Sequence, residues 1–237
     1  MKRLLALGIV LTLTAVALAD VIHDDFESYA DTAALNAVWP KTVGTDADTY
    51  LEVGANGPTW PGEKCVHNTT VAARRDYLFT PFVLTSGTFV WQFDYYDFVG
   101  NATDPRQYGQ LLAEDDVGGL SQLVAMGQYN AATNHNPNKY QARVALGSLN
   151  WFNLNTNRSV GWHTFMAVIH PATVDFYVDG NLDTAGVACV AARWYLARIG
   201  SGLSSAGGQA RYDNLLLTPE PAALALLAVG LLAARRR

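Results

Sequence analysis

From Thr88 to Phe98 the chain alternates with a period of two: Phe89, Trp91, Phe93 and Tyr95 share one face, and Val90, Gln92, Asp94 and Tyr96 share the other. No helix can bury such a pattern on one side, so the segment must be a strand. Both faces carry aromatic rings, which predicts a central strand. Shorter runs of the same kind recur at Tyr108–Ala113, Ser121–Tyr129, Tyr140–Leu146, Trp162–Ile169, Val174–Val178 and Trp194–Ile199, each followed by Gly, Asn, Asp or Pro. Between them no long segment keeps a helical period and nothing repeats. Asn130–Asn138, rich in Asn with one Pro, reads as a loop. Asp residues far outnumber Glu, a bias toward turn formers over helix formers. The expected fold class is therefore all-β and antiparallel.

One hairpin is sharper than the rest. His170-Pro171-Ala172 ends the run at Ile169, and Val174-Asp175-Phe176-Tyr177-Val178 alternates into Asp179-Gly180, where a tight turn needs positive φ. Together with Gly161-Trp162-His163-Thr164-Phe165, this stretch resembles the late hairpin of concanavalin-like and laminin-G-like jelly-roll sandwiches. Asp24-Asp25-Phe26-Glu27-Ser28-Tyr29 and Tyr212-Asp213-Asn214-Leu215 resemble that class's opening and closing strands. The resemblance implies a jelly-roll β-sandwich whose first and last strands lie side by side, and the alternating runs themselves predict that Phe93, Phe165, Val168, Phe176 and Val178 are buried. It also implies a structural Ca²⁺ where the termini meet, with Asp24, Asp25, Glu27 and Asp213 as ligands. Against this, no contiguous calcium loop is present, so these acids are also read as strand-shaping or solvated groups.

The chain ends carry signals of a different kind. Lys2 and Arg3 precede an apolar stretch, Leu4–Ala15, and Ala17-Leu18-Ala19 offers small residues at a cleavage point before Asp20. Residues 1–19 are therefore expected to be a secretory signal helix, with a retained anchor as the alternative. At the other end, Pro219-Glu220-Pro221 leads into an unbroken run of Ala, Leu, Val and Gly from Ala222 to Ala234, and then Arg235-Arg236-Arg237. This tail resembles the PEP-CTERM sorting signal, which implies recognition and removal by a membrane exosortase. The apolar helix has thirteen residues, against about 20 for a comfortable span. It would have to thin the bilayer or rely on snorkelling arginines. A buried C-terminal helix is the alternative reading. The expected organisation is a signal peptide at 1–19, a sandwich domain at 20–217 and a sorting signal at 218–237. The mature protein is expected at the cell surface or outside the cell after a transient inner-membrane stage.

Composition narrows the partners. Acids outnumber Lys and Arg 21 to 16, and three of the arginines lie in the tail, so the body lacks the basic stripe that nucleic acid requires. No catalytic constellation stands out. The five Glu are too far apart in sequence to put an acid and a nucleophile on one strand. Glu114-Asp115-Asp116 reads as a solvated turn. The five His show no metal-ligand spacing, and His163 reads as a half-buried structural residue. Gly202-Leu203-Ser204-Ser205-Ala206 lacks the strand-to-helix context of a nucleophile elbow. Trp60 and Trp151, in Gly/Pro-rich and Asn-rich surroundings, are placed on loops, where their rings either stack on sugars or fold back over the sandwich ends. Cys65 and Cys189 can form one bridge in an oxidising compartment, though spacing alone does not show that they meet. The sum is a non-enzymatic surface or extracellular-matrix protein that binds polysaccharide. The alternatives are an extracellular glycan hydrolase with acids from separate strands and a purely structural surface protein.

Overall fold

The computed structural model describes residues 22–54, 63–69, 72–84, 87–100, 105–115, 117–131, 133–145, 151–190, 192–202 and 208–219, all within one compact unit, Asp20–Glu220. Fifteen strands and one short helix follow in chain order among these residues: β1 (Ile22–Asp24), α1 (Thr32–Val38), β2 (Lys41–Val43), β3 (Thr49–Val53), β4 (Lys64–Asn68), β5 (Arg74–Val83), β6 (Phe89–Asp97), β7 (Gln107–Glu114), β8 (Leu120–Gln128), β9 (Lys139–Ala145), β10 (Trp151–Asn157), β11 (Gly161–Ile169), β12 (Thr173–Val178), β13 (Asn181–Ala188), β14 (Arg193–Ile199) and β15 (Ala210–Pro219). They form two antiparallel sheets. One runs β13-β12-β11-β6-β15-β4-β3, with β1 also paired to β15, and the other runs β10-β9-β8-β7-β14-β5-β2. The chain passes back and forth between them, as jelly-roll wiring requires.

β6 is central, as its two aromatic faces predict, with β11 on one side and β15 on the other. Its inward residues Phe89, Trp91, Phe93 and Tyr95 are fully buried, joined by Phe165, Phe176, Tyr212, Trp194, Tyr140 and Trp39. Phe165, Val168, Phe176 and Val178 are buried as expected. Across the sandwich, Phe93 lies directly against Gly109 of β7, where a Cβ would stand 2.5 Å from its ring. No side chain fits there.

The expected hairpin is formed by β11 and β12, in register from Phe165↔Val178 to Ile169↔Val174. Asp179 and Gly180 follow with φ of 52° and 75°, the positive pair that lets a turn continue the right-handed strand twist. The opening and closing strands also meet, Ile22 opposite Leu217 and Asp24 opposite Leu215. β15 changes register between Asp213 and Leu216, and Asn214 has φ 47° at that bulge. The Asn214 amide donates to Asp94 of β6 at 2.8 Å and the Thr164 hydroxyl donates to the same carboxylate at 2.5 Å. Burial raises the Asp94 pKa, and these two donors oppose the rise.

Several expectations need correction. A helix lies inside the body: α1 is capped by Asp31, whose carboxylate accepts from Ala34 N at 2.8 Å, and it buries Leu35. Seven residues are too few to show a helical period. Beneath it, buried Arg75 donates to Thr49, to Asn36 and to the Trp39 carbonyl, all neutral acceptors, and burial depresses its pKa to about 10. Trp151 sits in a strand, β10, rather than a loop. Cys65 and Cys189 are free thiols. Cys65 is in β4, five strand positions from the β13 edge that leads to Cys189, roughly 24 Å at ~4.8 Å per strand, which is far beyond disulfide reach. The Leu203–Ala206 part of the Gly/Ser segment lies outside the described residues, as do Ala17, Ala19, Trp60, Glu220, Pro221, Arg235, Arg236, Arg237 and the segments where the two terminal helices are expected. Pro219 closes β15 opposite Phe89. Among the described residues no helix is long and apolar enough to cross a membrane.

Replacing Gly109 by Ala is expected to destabilise the fold by about 1–3 kcal/mol, because Phe93 is fully buried and has nowhere to move. Urea unfolding measures this. A cost below about 0.5 kcal/mol would mean that the sheets separate freely at this point.

Candidate functional site

Alternation along the strands of the seven-stranded sheet sends Leu111, Ala113, Val124, Met126, Trp194 and Ile199 into the core. The intervening residues face outward. There the registers align one row across six strands: Trp151, Arg143, Ala125, Gln110, Arg198 and Asp76. In the next row, Asn153 faces Gln141, Gln141 faces Gly127, and Gly127 faces Tyr108. On the other side lies a leucine strip, with Leu123 opposite Leu112 and Leu196 opposite Leu78.

Three rings form the floor of this face. Tyr129 and Trp151 stack with centroids 4.9 Å apart and planes 6° from parallel, and Tyr108 lies 5.2 Å from Trp151. Trp151 is only 7% exposed, yet its indole nitrogen has no hydrogen-bond partner. The Arg106 guanidinium sits 4.8 Å above the Tyr129 ring and donates to Asn130 at 2.6 Å. Arg198 makes a bidentate pair with Asp76 at 2.7 and 2.9 Å, and Arg74 approaches the same carboxylate at 3.6 Å. Burial pushes the Tyr108 hydroxyl up to about 12, helped by Tyr129 and opposed by Arg106, Arg198 and Arg143. Burial lowers the Arg74 pKa, with Arg198 adding repulsion, and burial likewise lowers that of Arg143. Four cations thus gather round Tyr108, with Asp76 as the carboxylate in their midst. At the far end Glu114 pairs with Arg193 at 2.8 Å.

The outer face of the eight-stranded sheet also carries a row of large side chains: Tyr50, His67, Arg211, Tyr96 and Trp162. Its chemistry is closed. Glu52 holds Arg211 through two bonds of 2.6 and 2.9 Å and lies 3.1 Å from His67, while Arg211 stacks over Phe98 at 4.6 Å. Burial depresses the His67 pKa despite Glu52. Cys65 faces the same carboxylate, and burial raises its thiol pKa well above the usual range. Trp162 pairs edge-to-face with Tyr96.

The four acids expected to hold calcium do not converge. Asp24 accepts from Phe26 N at 2.9 Å, from the Tyr29 hydroxyl at 2.5 Å and from the Trp39 indole at 2.7 Å. Its lone pairs therefore serve neutral donors, and the Tyr29 pKa rises through burial and that bond. Asp25 caps Glu27 N, Glu27 takes the N–H groups of Glu63 and Lys64, and Asp213 takes Asn214 N. Among the described residues no group of three or more His, Cys, Asp or Glu is placed to hold a metal ion. The termini meet, but their carboxylates are spent on backbone and ring donors.

His163 is buried and lies in a chain that spacing did not reveal. Its Nδ1 is 2.8 Å from Asp179, and its Nε2 is 3.0 Å from both the Ser159 hydroxyl and the Ser159 carbonyl. The order Ser, His, Asp suggests a nucleophile and its base. The carbonyl argues otherwise: it can only accept, so Nε2 must carry a proton and cannot take one from the serine. Asp179 also accepts from Thr164 N at 2.9 Å, so the group clamps the start of β11 to the end of β12, where the chain turns into β13.

No family profile matches the chain, and no curated protein does. Among solved structures, the globular domain of a T. cruzi calreticulin is similar at 12% identity and a TM-score of 0.56, covering 88% of this chain and 91% of that one. The carbohydrate recognition domain of Emp46p in its metal-free form aligns at 7% identity and 0.49, over 85% and 96%. The alginate lyase AlyC3 aligns at 8% and 0.44, over 65% and 75%. The calreticulin likeness is one of fold alone, and it identifies the sandwich class.

The clamp should be visible in pH dependence. Burial alone would lower the His163 pKa, but bonding to Asp179 outweighs it and raises the pKa, while that of Asp179 is lowered in spite of burial. The histidine's contribution is then complete below its ordinary value of 6.5 and fades as pH rises through the elevated folded value. The carboxylate's contribution is present above its ordinary value of 3.8 and fades as pH falls. The stability gap between wild type and Asp179→Asn should therefore be widest between these limits and narrow on the alkaline side. A gap that stays constant from pH 5 to 9 in urea titrations would overturn the ion pair.

Proposed function

We propose that this chain is an exported, non-enzymatic surface or matrix protein that binds polysaccharide on the outer face of its seven-stranded sheet. The observation that carries the reading is the Tyr108–Tyr129–Trp151 floor, bordered by arginines and by the amide of Gln110. Ring faces pack against the C–H faces of sugars, and side-chain amides and guanidiniums meet hydroxyls at the edges, the usual division of labour in a binding groove. Among the described residues, the carboxylates of Asp76 and Glu114 on this face each pair with an arginine, which favours binding over acid–base cleavage of a glycan.

Export rests on the two chain ends. The Leu4–Ala15 stretch before Ala17 and Ala19 supports secretion, and Pro219-Glu220-Pro221 with its apolar run and Arg235-Arg236-Arg237 supports sorting by an exosortase. The inner membrane is then a transient station and the cell surface the destination.

Two measurements test this reading. In native gels cast with a panel of soluble polysaccharides, at least one polymer should retard the protein, and Trp151→Ala should weaken the retardation several-fold. No retardation by any polymer sinks the binding site, and release of shortened sugars would reassign the protein as an enzyme. In a host with the sorting enzyme, intact mass should show a mature chain that begins at Asp20 and lacks the tail, with Glu220→Ala held in the membrane. Secreted protein ending in Arg237 would refute the sorting signal.

A further inference from the structure

We infer that Arg106 gates the aromatic floor: its guanidinium occupies a ring face that a bound sugar must take, so ligand and arginine compete for Tyr129. The inference rests on the carbohydrate-binding reading and adds how access to that site is controlled. Burial is the first observation. Tyr108, Tyr129 and Trp151 stand on the outer face of the sheet, yet they are only 5%, 8% and 7% exposed. A pyranose stacks by laying its C–H groups against an open ring face. Rings covered to this degree offer none until a neighbour moves.

Strand order identifies that neighbour. Gln107 of β7 faces Gln128 of β8, so one step further on Arg106 and Tyr129 are cross-strand neighbours. Trp151 belongs to β10, on the other side of β8 in the sheet. The two groups therefore reach Tyr129 from opposite sides, the indole stacked at 4.9 Å and the guanidinium 4.8 Å from the ring centre. Trp151 is fixed by its pairing with Arg143 of β9 and by its contact with Tyr108 at 5.2 Å. Moving it would pull a strand out of the sheet. Arg106 lies just ahead of β7 on a long, rotatable side chain, tied to Asn130 Oδ1 at 2.6 Å. Its release costs that hydrogen bond and the cation–π contact, and no backbone has to move.

A second observation points to the kind of guest that displaces it. The Trp151 indole nitrogen is buried and has no hydrogen-bond partner, and a buried donor left unpaired is costly. A sugar hydroxyl can accept from that N–H while the C–H face of the same ring system covers Tyr129. A purely apolar guest would leave the donor unpaired. Contested ring face and unused donor together suit a hydroxylated pyranose, and the guanidinium holds the floor closed until one arrives.

The test uses the full-length chain in affinity electrophoresis with neutral soluble polymers: hydroxyethylcellulose, xylan, laminarin and galactomannan. Neutral probes keep charge attraction out of the comparison. Arg106→Ala should bind the polymer that retards wild type about three- to tenfold more tightly, the range to which a cation–π contact converts. Asn130→Ala keeps the guanidinium but loosens it, and should tighten binding by about twofold. Tyr129→Ala removes the contested face, so adding Arg106→Ala in that background should change nothing. Urea midpoints establish that each variant is folded. Equal or weaker binding by Arg106→Ala overturns the gate and leaves the carbohydrate reading standing. Binding of no polymer by wild type or by Arg106→Ala overturns both. A gain that persists in the Tyr129→Ala background overturns the assignment to this ring.

Discussion

The ring of Phe93 occupies the space that a side chain at position 109 would need, and this contact sets how closely the two sheets approach. β6 carries the ring and β7 offers bare backbone to receive it. Everything on the outer face is referenced to that backbone, because Tyr108 and Gln110 flank Gly109 and point the opposite way. The central row then follows from pairing: Gln110 is aligned with Arg198 on one side and, through Ala125, with Arg143 on the other. A core contact on one side of a strand thus positions candidate binding groups on the other.

Polar anchors keep the strands in these registers. Asp94 holds the β15 bulge through Asn214 and the β11 strand through Thr164. Arg158 and Asp97 form a buried ion pair, and Asp97 also caps Val99 and Gly100. Such pairs do not add much net stability, but removing one partner leaves a buried charge, so they penalise alternative registers. His163 and Asp179 do the same where the start of β11 meets the end of β12. These groups resemble catalytic hardware in composition. Their bonds are directed at backbone and at neighbouring strands, and their effect is to specify geometry.

How much could be read in advance depends on whether the information is local. Strands β6, β7, β8, β9, β11, β12 and β14 are legible from alternation, and the Asp179-Gly180 turn from the need for positive φ at both positions. β10 was missed because, with Asn at 153, 155 and 157, its buried residues are Trp151 and Leu154, three apart and on opposite faces, which is no alternation. α1 was missed because one capped double turn has no period to detect. Trp151 was singled out as a sugar-stacking ring and does belong to the aromatic floor, though on a strand and with Tyr108 and Tyr129 as partners that were not anticipated. The calcium set failed for a related reason: bringing β1 to β15 brings backbones together, and carboxylate direction then depends on the nearest N–H and O–H groups.

The amino-acid sequence by itself determined the fold class, the inward and outward sides of most strands, the sharp hairpin and the acidic balance of the body, because each is set by period, turn chemistry or composition within a short stretch. Only the tertiary structure decided which strands are neighbours. That choice places Arg74, Arg106, Arg143 and Arg198, scattered along the chain, on one surface around Tyr108, and it holds Cys65 and Cys189 apart. Neighbour order in a sandwich comes from packing two sheets across a shared core and from cross-strand registers, and no local pattern encodes either one.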